Sequence, residues 1–395
     1  MRFVIEIAAV AFAAILASCG AGGPKPSQIA LAQARAAAGR GDYNAAAGDL
    51  ASAIAADPGN PDLYYQQGRA FLPAGDSGRA VADFDQALKI DPNDTDYLWY
   101  RSLAYLSERK FDLAIADLNR MDSLERGNYR IIAQRGIVYF MSCDYPKAID
   151  DFNQTIGSAS TYWSRDIEIT SRRQQGREDS AHYLALLALA QAANGNLTEA
   201  IASANRATEQ DPKNGIVFAA RAAVYMIAND RTRALADADR AVSFAPNDVD
   251  VLRAHALING TFDGDQVARF DLERALQIDP ESAVNNAALA WLFATSTNKS
   301  IRNGTNAIKY AKRACELSHW KAAYAIDALA AAYAEDGDFA SAAKYQQQAI
   351  SVADPHPAVQ LAREHDALAL YQSRKPFRGG FAGIEQIIIA APMPA

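Results

Sequence analysis

Cysteine is scarce in this chain of 395 residues: the three, at positions 19, 143 and 315, exclude a fold stapled by a disulfide framework. Histidine is nearly as thin, with five residues scattered along the sequence. His356 and His365 share a helical neighbourhood but lack the i, i+4 spacing of a zinc pair. No segment carries the glycine-rich GxxxxGKS or GxxxxGKT loop that cradles phosphates, and none forms a nucleophile elbow. An enzyme is therefore not expected, nor a cofactor, a metal or a small-molecule substrate. Positive charge is also in deficit. With 39 Lys and Arg against 46 Asp and Glu, the formal charge of −7 argues against nucleic acid or an anionic membrane surface as the main partner. Strand-like alternation is missing too. Half of the residues are hydrophobic and alanine is abundant, which points to an all-α chain.

What the chain has is a repeat. Residues 61–94, PDLYYQQGRAFLPAGDSGRAVADFDQALKIDPND, read as two helices, about Leu63–Leu72 and Gly78–Ile90. Ala74, Gly75 and Asp76 make the turn between them, and Pro92, lacking an amide donor, marks the stop. Small residues at Gly68, Ala80 and Ala87 stand where the helices must approach closely, and Tyr64, Phe71, Phe84 and Leu88 fill the gaps. A ruler of about 34 residues then carries this pattern along the chain in nine units, with position 8 small and positions 20 and 27 almost always alanine.

This small and large alternation in a 34-residue helix–turn–helix unit resembles the tetratricopeptide repeat, or TPR. The resemblance implies an all-α, right-handed superhelical solenoid of about nine repeats, each burying its faces only against its neighbours. Repeats one to four are expected over residues 27–156, an insertion over 157–180, repeats five to nine over 181–355, a capping helix over 356–373 and a tail over 374–395. Cys143 and Cys315 lie several repeats apart in such a rod, so no internal disulfide is expected.

The first 19 residues, MRFVIEIAAVAFAAILASC, join a short basic start to an apolar run closed by small residues, the pattern of an export signal. Leu16-Ala17-Ser18-Cys19 resembles the lipobox of bacterial lipoproteins, which implies cleavage before Cys19 and lipid attachment there. Glu6 inside the apolar run departs from that pattern, and an ordinary secretory signal or an uncleaved anchor remain alternatives. Gly20, where Asp is absent, favours the outer membrane of a Gram-negative envelope, facing the periplasm. Residues 20–26, GAGGPKP, read as a flexible tether.

Two stretches depart from the ruler. Residues 157–180 either extend the second helix of repeat four or add a loop. Their Arg165, Arg172, Arg173 and Arg177, with Tyr162 and Trp163, read either as a basic protrusion that touches a partner or as a solvated helix or linker. Residues 290–349 look like a carboxy-terminal module of many bacterial TPR proteins, through Trp291, Arg302-Asn303-Gly304, Ala314-Cys315-Glu316-Leu317, Trp320, Asp327 and Gln346. Tyr371 and Lys375-Pro376-Phe377-Arg378 belong to the same pattern, whereas Thr297-Asn298 stand where that family usually has proline. The expected capping helix carries Arg363, Glu364 and Asp366 for an outward face, and the tail beyond Pro376 reads as loose, with Ile384–Ile389 able to dock.

Candidate site residues come from comparing repeats. Position 7, usually apolar in TPRs, is polar in six units, and in those six position 23 is Asp. A buried carboxylate without a donor is costly, so paired presence suggests contact between the two helices. Arg101 with Asp117, Arg135 with Asp151 and Arg221 with Asp237 are the expected structural ion pairs. For partner binding, the TPR resemblance points to positions 2, 5, 9 and 12 of the first helix, and here to Tyr65, Arg69, Trp99, Leu103 and Phe140. Such an apolar, aromatic groove suits an amphipathic helix or apolar peptide. The function expected is a membrane-tethered scaffold for envelope proteins. The alternative is a structural lipoprotein that works by self-association.

Overall fold

The computed structural model describes residues 26–165, 170–352, 358–379 and 381. Among them are nineteen helices and no strand. Nine consecutive pairs take up the register: α1 (Pro26–Gly39) and α2 (Tyr43–Ala56), α3 (Pro61–Phe71) and α4 (Ser77–Ile90), α5 (Thr95–Ser107) and α6 (Phe111–Leu124). Next come α7 (Tyr129–Met141) and α8 (Tyr145–Arg165), α9 (Thr170–Ala193) and α10 (Leu197–Gln210), α11 (Gly215–Ile227) and α12 (Arg231–Phe244). The last pairs are α13 (Val249–Thr261) and α14 (Asp265–Ile278), α15 (Ala283–Thr295) and α16 (Gly304–Leu317), α17 (Ala323–Glu335) and α18 (Phe339–Val352). A single helix, α19 (Ala358–Gln372), follows. Odd-numbered helices are the A helices of their repeats and even-numbered ones, through α18, the B helices. The chain divides into two compact units between Ile131 and Ile132, within α7. No helix among the described residues is long and apolar enough to cross a membrane.

Three local rules make this architecture repeat. The first concerns position 15, in the turn from A to B, which is left-handed in eight repeats. Glycine stands there at Gly41, Gly75, Gly195 and Gly337, but Arg109, Cys143, Asn229 and Asp263 accept the same positive φ. The turn closes when the next amide reaches back to the helix, as Asp76 N does to Phe71 O (3.0 Å) and Lys110 N to Tyr105 O (2.8 Å).

Capping is the second rule. The last residue of one repeat caps the next A helix: Asn60 accepts from Asp62 N, Asp94 from Tyr97 N, Asn214 from Ile216 N and Asp248 from Asp250 N. Asp42, Asp76 and Asp230 do the same for B helices. Much of the aspartate in the chain is therefore bound to orphan amides at helix starts.

Close approach is the third. Ala80, Ala114, Ala148, Ala200, Ala234 and Ala268 at position 20 are wholly buried. At position 8, a Cβ on Gly68 would stand 2.7 Å from the Phe84 ring, and one on Gly136 would stand 2.9 Å from Phe152. The ring at position 24 fills the space the glycine leaves, so the pair conserves volume.

The insertion lengthens both neighbours: α8 runs to Arg165 over 21 residues and α9 spans 24. Residues 166–169 and the side chains of Tyr162, Trp163, Arg165, Arg172, Arg173 and Arg177 lie outside the described residues, as does Cys19.

Candidate functional site

A buried polar column runs between A and B helices. Arg101 on α5 donates from Nε and Nη2 to the two Asp117 oxygens on α6, at 2.8 and 2.5 Å. Its remaining nitrogen, Nη1, reaches Asp85 of the preceding repeat at 2.7 Å. Burial works against the Arg101 charge, but the bonds and charge of Asp117 outweigh it and hold the guanidinium above its usual range. Arg135 grips Asp151 in the same two-pronged way, at 2.8 and 2.7 Å. Arg221 holds Asp237 at 2.6 and 2.9 Å and reaches Asn205 of the preceding repeat at 3.1 Å. In repeat seven His255 takes the arginine's place, with Nδ1 2.5 Å from Asp271 and Nε2 3.1 Å from Asp239.

Each of these position-7 groups thus joins its own position 23; Arg101, Arg221 and His255 also join position 25 of the repeat before. That second link was missed in the sequence, although the polar column Asp85, Asn205 and Asp239 is visible there. Repeat two breaks the pattern. Gln67 donates to Ala47 O of the preceding repeat at 2.8 Å and leaves Asp83 alone. The inner oxygen of Asp83 has no hydrogen-bond partner, and burial pushes its carboxyl up to about 7 against the pull of Arg79. Gln33 in repeat one is exposed and makes no bond to Asp49.

In the first unit, aromatic rings gather on the A-helix face of repeats two and three. Tyr65 packs against Tyr97 (centroids 5.0 Å), Tyr100 (5.4 Å, edge-on) and Phe84 (6.2 Å). Burial pushes the Tyr65 phenol up to about 12. Tyr97 donates its hydroxyl to Asp62 at 2.7 Å, which ties α5 to α3. Arg69 lies on top, its guanidinium carbon 4.8 Å from the Tyr100 centroid and 5.4 Å from that of Tyr65. Arg69 is exposed, Trp99 and Leu103 are half-buried, and Tyr65 is buried beneath them. Tyr65, expected as a contact, is instead the floor on which Arg69 rests.

In the second unit the expected stripe is packing. Phe140 is buried and sits edge-on to Tyr145, with centroids 5.7 Å apart, so it offers no ring to a partner. Leu189, Met226, Leu257 and Trp291 at equivalent positions are buried as well. Successive A helices here bury alanines against one another, among them Ala188, Ala222 and Ala256.

The motif residues of the carboxy-terminal module assemble into one connected structure. Asp327 on α17 accepts from Gln346 on α18 (2.9 Å) and from Arg363 on α19 (2.7 Å). The Arg363 guanidinium carbon lies 4.8 Å from the Trp291 centroid and 6.0 Å from that of Phe377. Phe377 itself stands 5.7 Å from Trp291. Arg302 links Ser296 O (3.0 Å) to Glu335 (3.2 Å), and Asn303 caps α16. Burial pushes the Cys315 thiol up to about 12, which leaves it a small apolar filler.

Two expectations fall here. Arg363 turns inward to Asp327, and Glu364 is wholly buried, so of the three residues expected to face outward only Asp366 is exposed. Where the tail expected to be loose is described, at residues 377–379 and 381, it is held: Arg378 bonds Ala294 O and Glu335, and Phe381 is 1% exposed. Ile384–Ile389 lie outside the described residues. Among the described residues no group of three His, Cys, Asp or Glu could hold a metal ion.

The family model described as tetratricopeptide repeat matches residues 31–95, 65–128 and 165–215. Among solved structures, the chain is similar to a tetratricopeptide repeat protein from Parabacteroides merdae, at 18% identity and a TM-score of 0.52 over 66% of this chain and 96% of that one. It is also similar to yeast Tom70, at 16% identity, covering 89% of this chain and 81% of that one with a TM-score of 0.45. A third is the carboxy-terminal part of a TPR repeat-containing protein from Cytophaga hutchinsonii, at 14% identity, with 68% and 96% covered and a TM-score of 0.42. No curated protein matches. Repeat register, paired helices, the family match over those residues and the structural likeness agree on the architecture: the chain folds as a tetratricopeptide-repeat solenoid.

Proposed function

We propose that this protein is a membrane-tethered scaffold that holds a peptide or helix of another envelope protein on the A-helix face of repeats two and three. A solenoid of TPRs is a protein-interaction fold, since stacked repeats present an extended concave surface. The observation that carries the choice of face is Arg69, an exposed cation seated on Tyr65 and Tyr100, with half-exposed Trp99 and Leu103 one repeat on. Rigid aromatics beside an arginine are the residue types that dominate interface energies. An amphipathic helix with an apolar stripe and an acidic edge matches them.

The anchor in this reading is Cys19, acylated after cleavage behind Leu16-Ala17-Ser18, with residues 20–26 as the tether to the outer membrane. The test is a pull-down from detergent-solubilised envelope with the anchor kept, comparing wild type with a Trp99→Ala, Arg69→Ala double variant. Discrete foreign proteins recovered by wild type and lost in the variant support the reading. Recovery of the protein's own copies alone overturns it in favour of a self-assembling lipoprotein. Unchanged processing and membrane fractionation of Cys19→Ser would remove the anchor from the proposal.

A further inference from the structure

We propose that His255 is a proton-operated tie between repeats six and seven: charged, it holds both repeats, and on losing its proton it releases repeat six and keeps hold of its own. The tie lies within the second unit and does not rest on the binding face proposed above.

The ring stands between two carboxylates. On α14, in its own repeat, Asp271 lies 2.5 Å from Nδ1; on α12, in the preceding repeat, Asp239 lies 3.1 Å from Nε2. An ionised carboxylate can only accept, and a neutral imidazole has a single N–H. Both contacts are therefore hydrogen bonds only while the ring carries two protons. When one proton leaves, one carboxylate faces a nitrogen lone pair, and burial decides which. The Asp271 side chain is 5% exposed, that of Asp239 77%. Stripping a buried carboxylate of a donor is costly, whereas Asp239 can turn to water. The remaining proton stays on Nδ1 with Asp271, and the bond across the repeat boundary is the one that breaks.

Asp239 and Asp271 are the charges that act on the ring from the neighbouring helices. The cations around it are engaged elsewhere. Arg221 of α11 and Arg240 of α12 pair with Asp237, Arg253 of α13 with Asp250, and Arg269 of α14 with Glu273. Burial opposes the charge on the ring and the two carboxylates outweigh it, so release falls above the ordinary imidazole value.

The equivalent ties are made by arginine, from Arg101 to Asp85 and from Arg221 to Asn205. A guanidinium keeps its charge at any pH a folded protein meets. Of these three ties, then, the one made by His255 responds to pH. Phe218, Ala241, Val251 and Ala254 still pack across α11, α12 and α13 when it opens. Deprotonation therefore loosens the joint without parting the repeats.

The test is nitrogen NMR of the histidines in the full chain, with the His255 signal identified by its loss in His255→Arg. Above the titration midpoint the neutral ring should carry its proton on Nδ1. Asp239→Asn, a change at an exposed side chain, should weaken proton binding by roughly two- to fivefold, the range for an exposed ion pair. In hydrogen exchange, residues 231–261 of wild type should lose protection by a similar factor across that midpoint, measured against His255→Arg, while repeats eight and nine keep theirs. A neutral ring protonated on Nε2 overturns the proposal, because Asp271 would then be the group released. So does an unchanged midpoint in Asp239→Asn, or protection of residues 231–261 that follows His255→Arg throughout.

Discussion

Arg101 and Asp117 face each other across repeat three through two parallel hydrogen bonds, 2.8 and 2.5 Å long, with the carboxylate almost fully enclosed. Removing only the acid leaves a shielded guanidinium whose other carboxylate partner is Asp85. Asp117→Ala should therefore cost about 3 kcal/mol, the low end for breaking a buried pair. Replacing both, as Arg101→Met with Asp117→Leu, should cost clearly less. Urea unfolding of the three proteins measures this, and equal losses for single and double variants would count against the pairing as a stabilising unit.

Asp83 is the same position without its partner. Its carboxyl sits near 7 when folded and returns to the ordinary carboxylate range, about 4, when unfolded. The folded state thus holds a proton that the unfolded state has released, so stability falls as pH rises from about 4 to about 7. Asp83→Asn should melt at a higher temperature than wild type above pH 7, and the two should converge towards pH 4. A constant difference across that range would be the wrong result.

His255 titrates in a different window. Burial lowers its affinity for a proton, but the bonds to Asp271 and Asp239 win and raise it above the ordinary value. The stabilisation is therefore complete below the unfolded value of about 6.5 and is lost as pH climbs through the raised folded value. His255→Arg, which restores the residue type of repeats three, four and six, should keep its stability over that climb. Parallel wild-type and variant curves of urea midpoint against pH would exclude this assignment.

Position 15 predicts opposite effects from one backbone geometry. A Cβ on Gly195 meets nothing within 4 Å, so Gly195→Ala has only the left-handed backbone to oppose it and should cost about 1 kcal/mol. Cys143 already bears that strain at φ 62°, and Cys143→Gly should gain up to about 1 kcal/mol. Calorimetric melting compares the two; destabilisation by Cys143→Gly would show that its thiol contributes more than its backbone loses.

Local chemistry that repeats every 34 residues was legible from residues alone. The αL turn at Gly75, the buried alanines at Ala80 and Ala87, and the Arg101 and Asp117 pairing each depend on neighbours within one repeat, so one register places them all. Contacts that leave the repeat were not legible in the same way. Nothing in the sequence near Arg363 says that Asp327, 36 residues earlier, would turn it inward. Nor does anything near Phe381 name Gly260 as its notch. Tyr65 and Phe140 carry the aromatic character of a binding surface, but exposure depends on what stacks above them, and only the packed helices bring Arg69 over one and Tyr145 against the other. Sequence periodicity determined which faces meet within a repeat; the tertiary structure decided which of the remaining faces are left open, because that depends on non-periodic segments such as α19 and the chain after it.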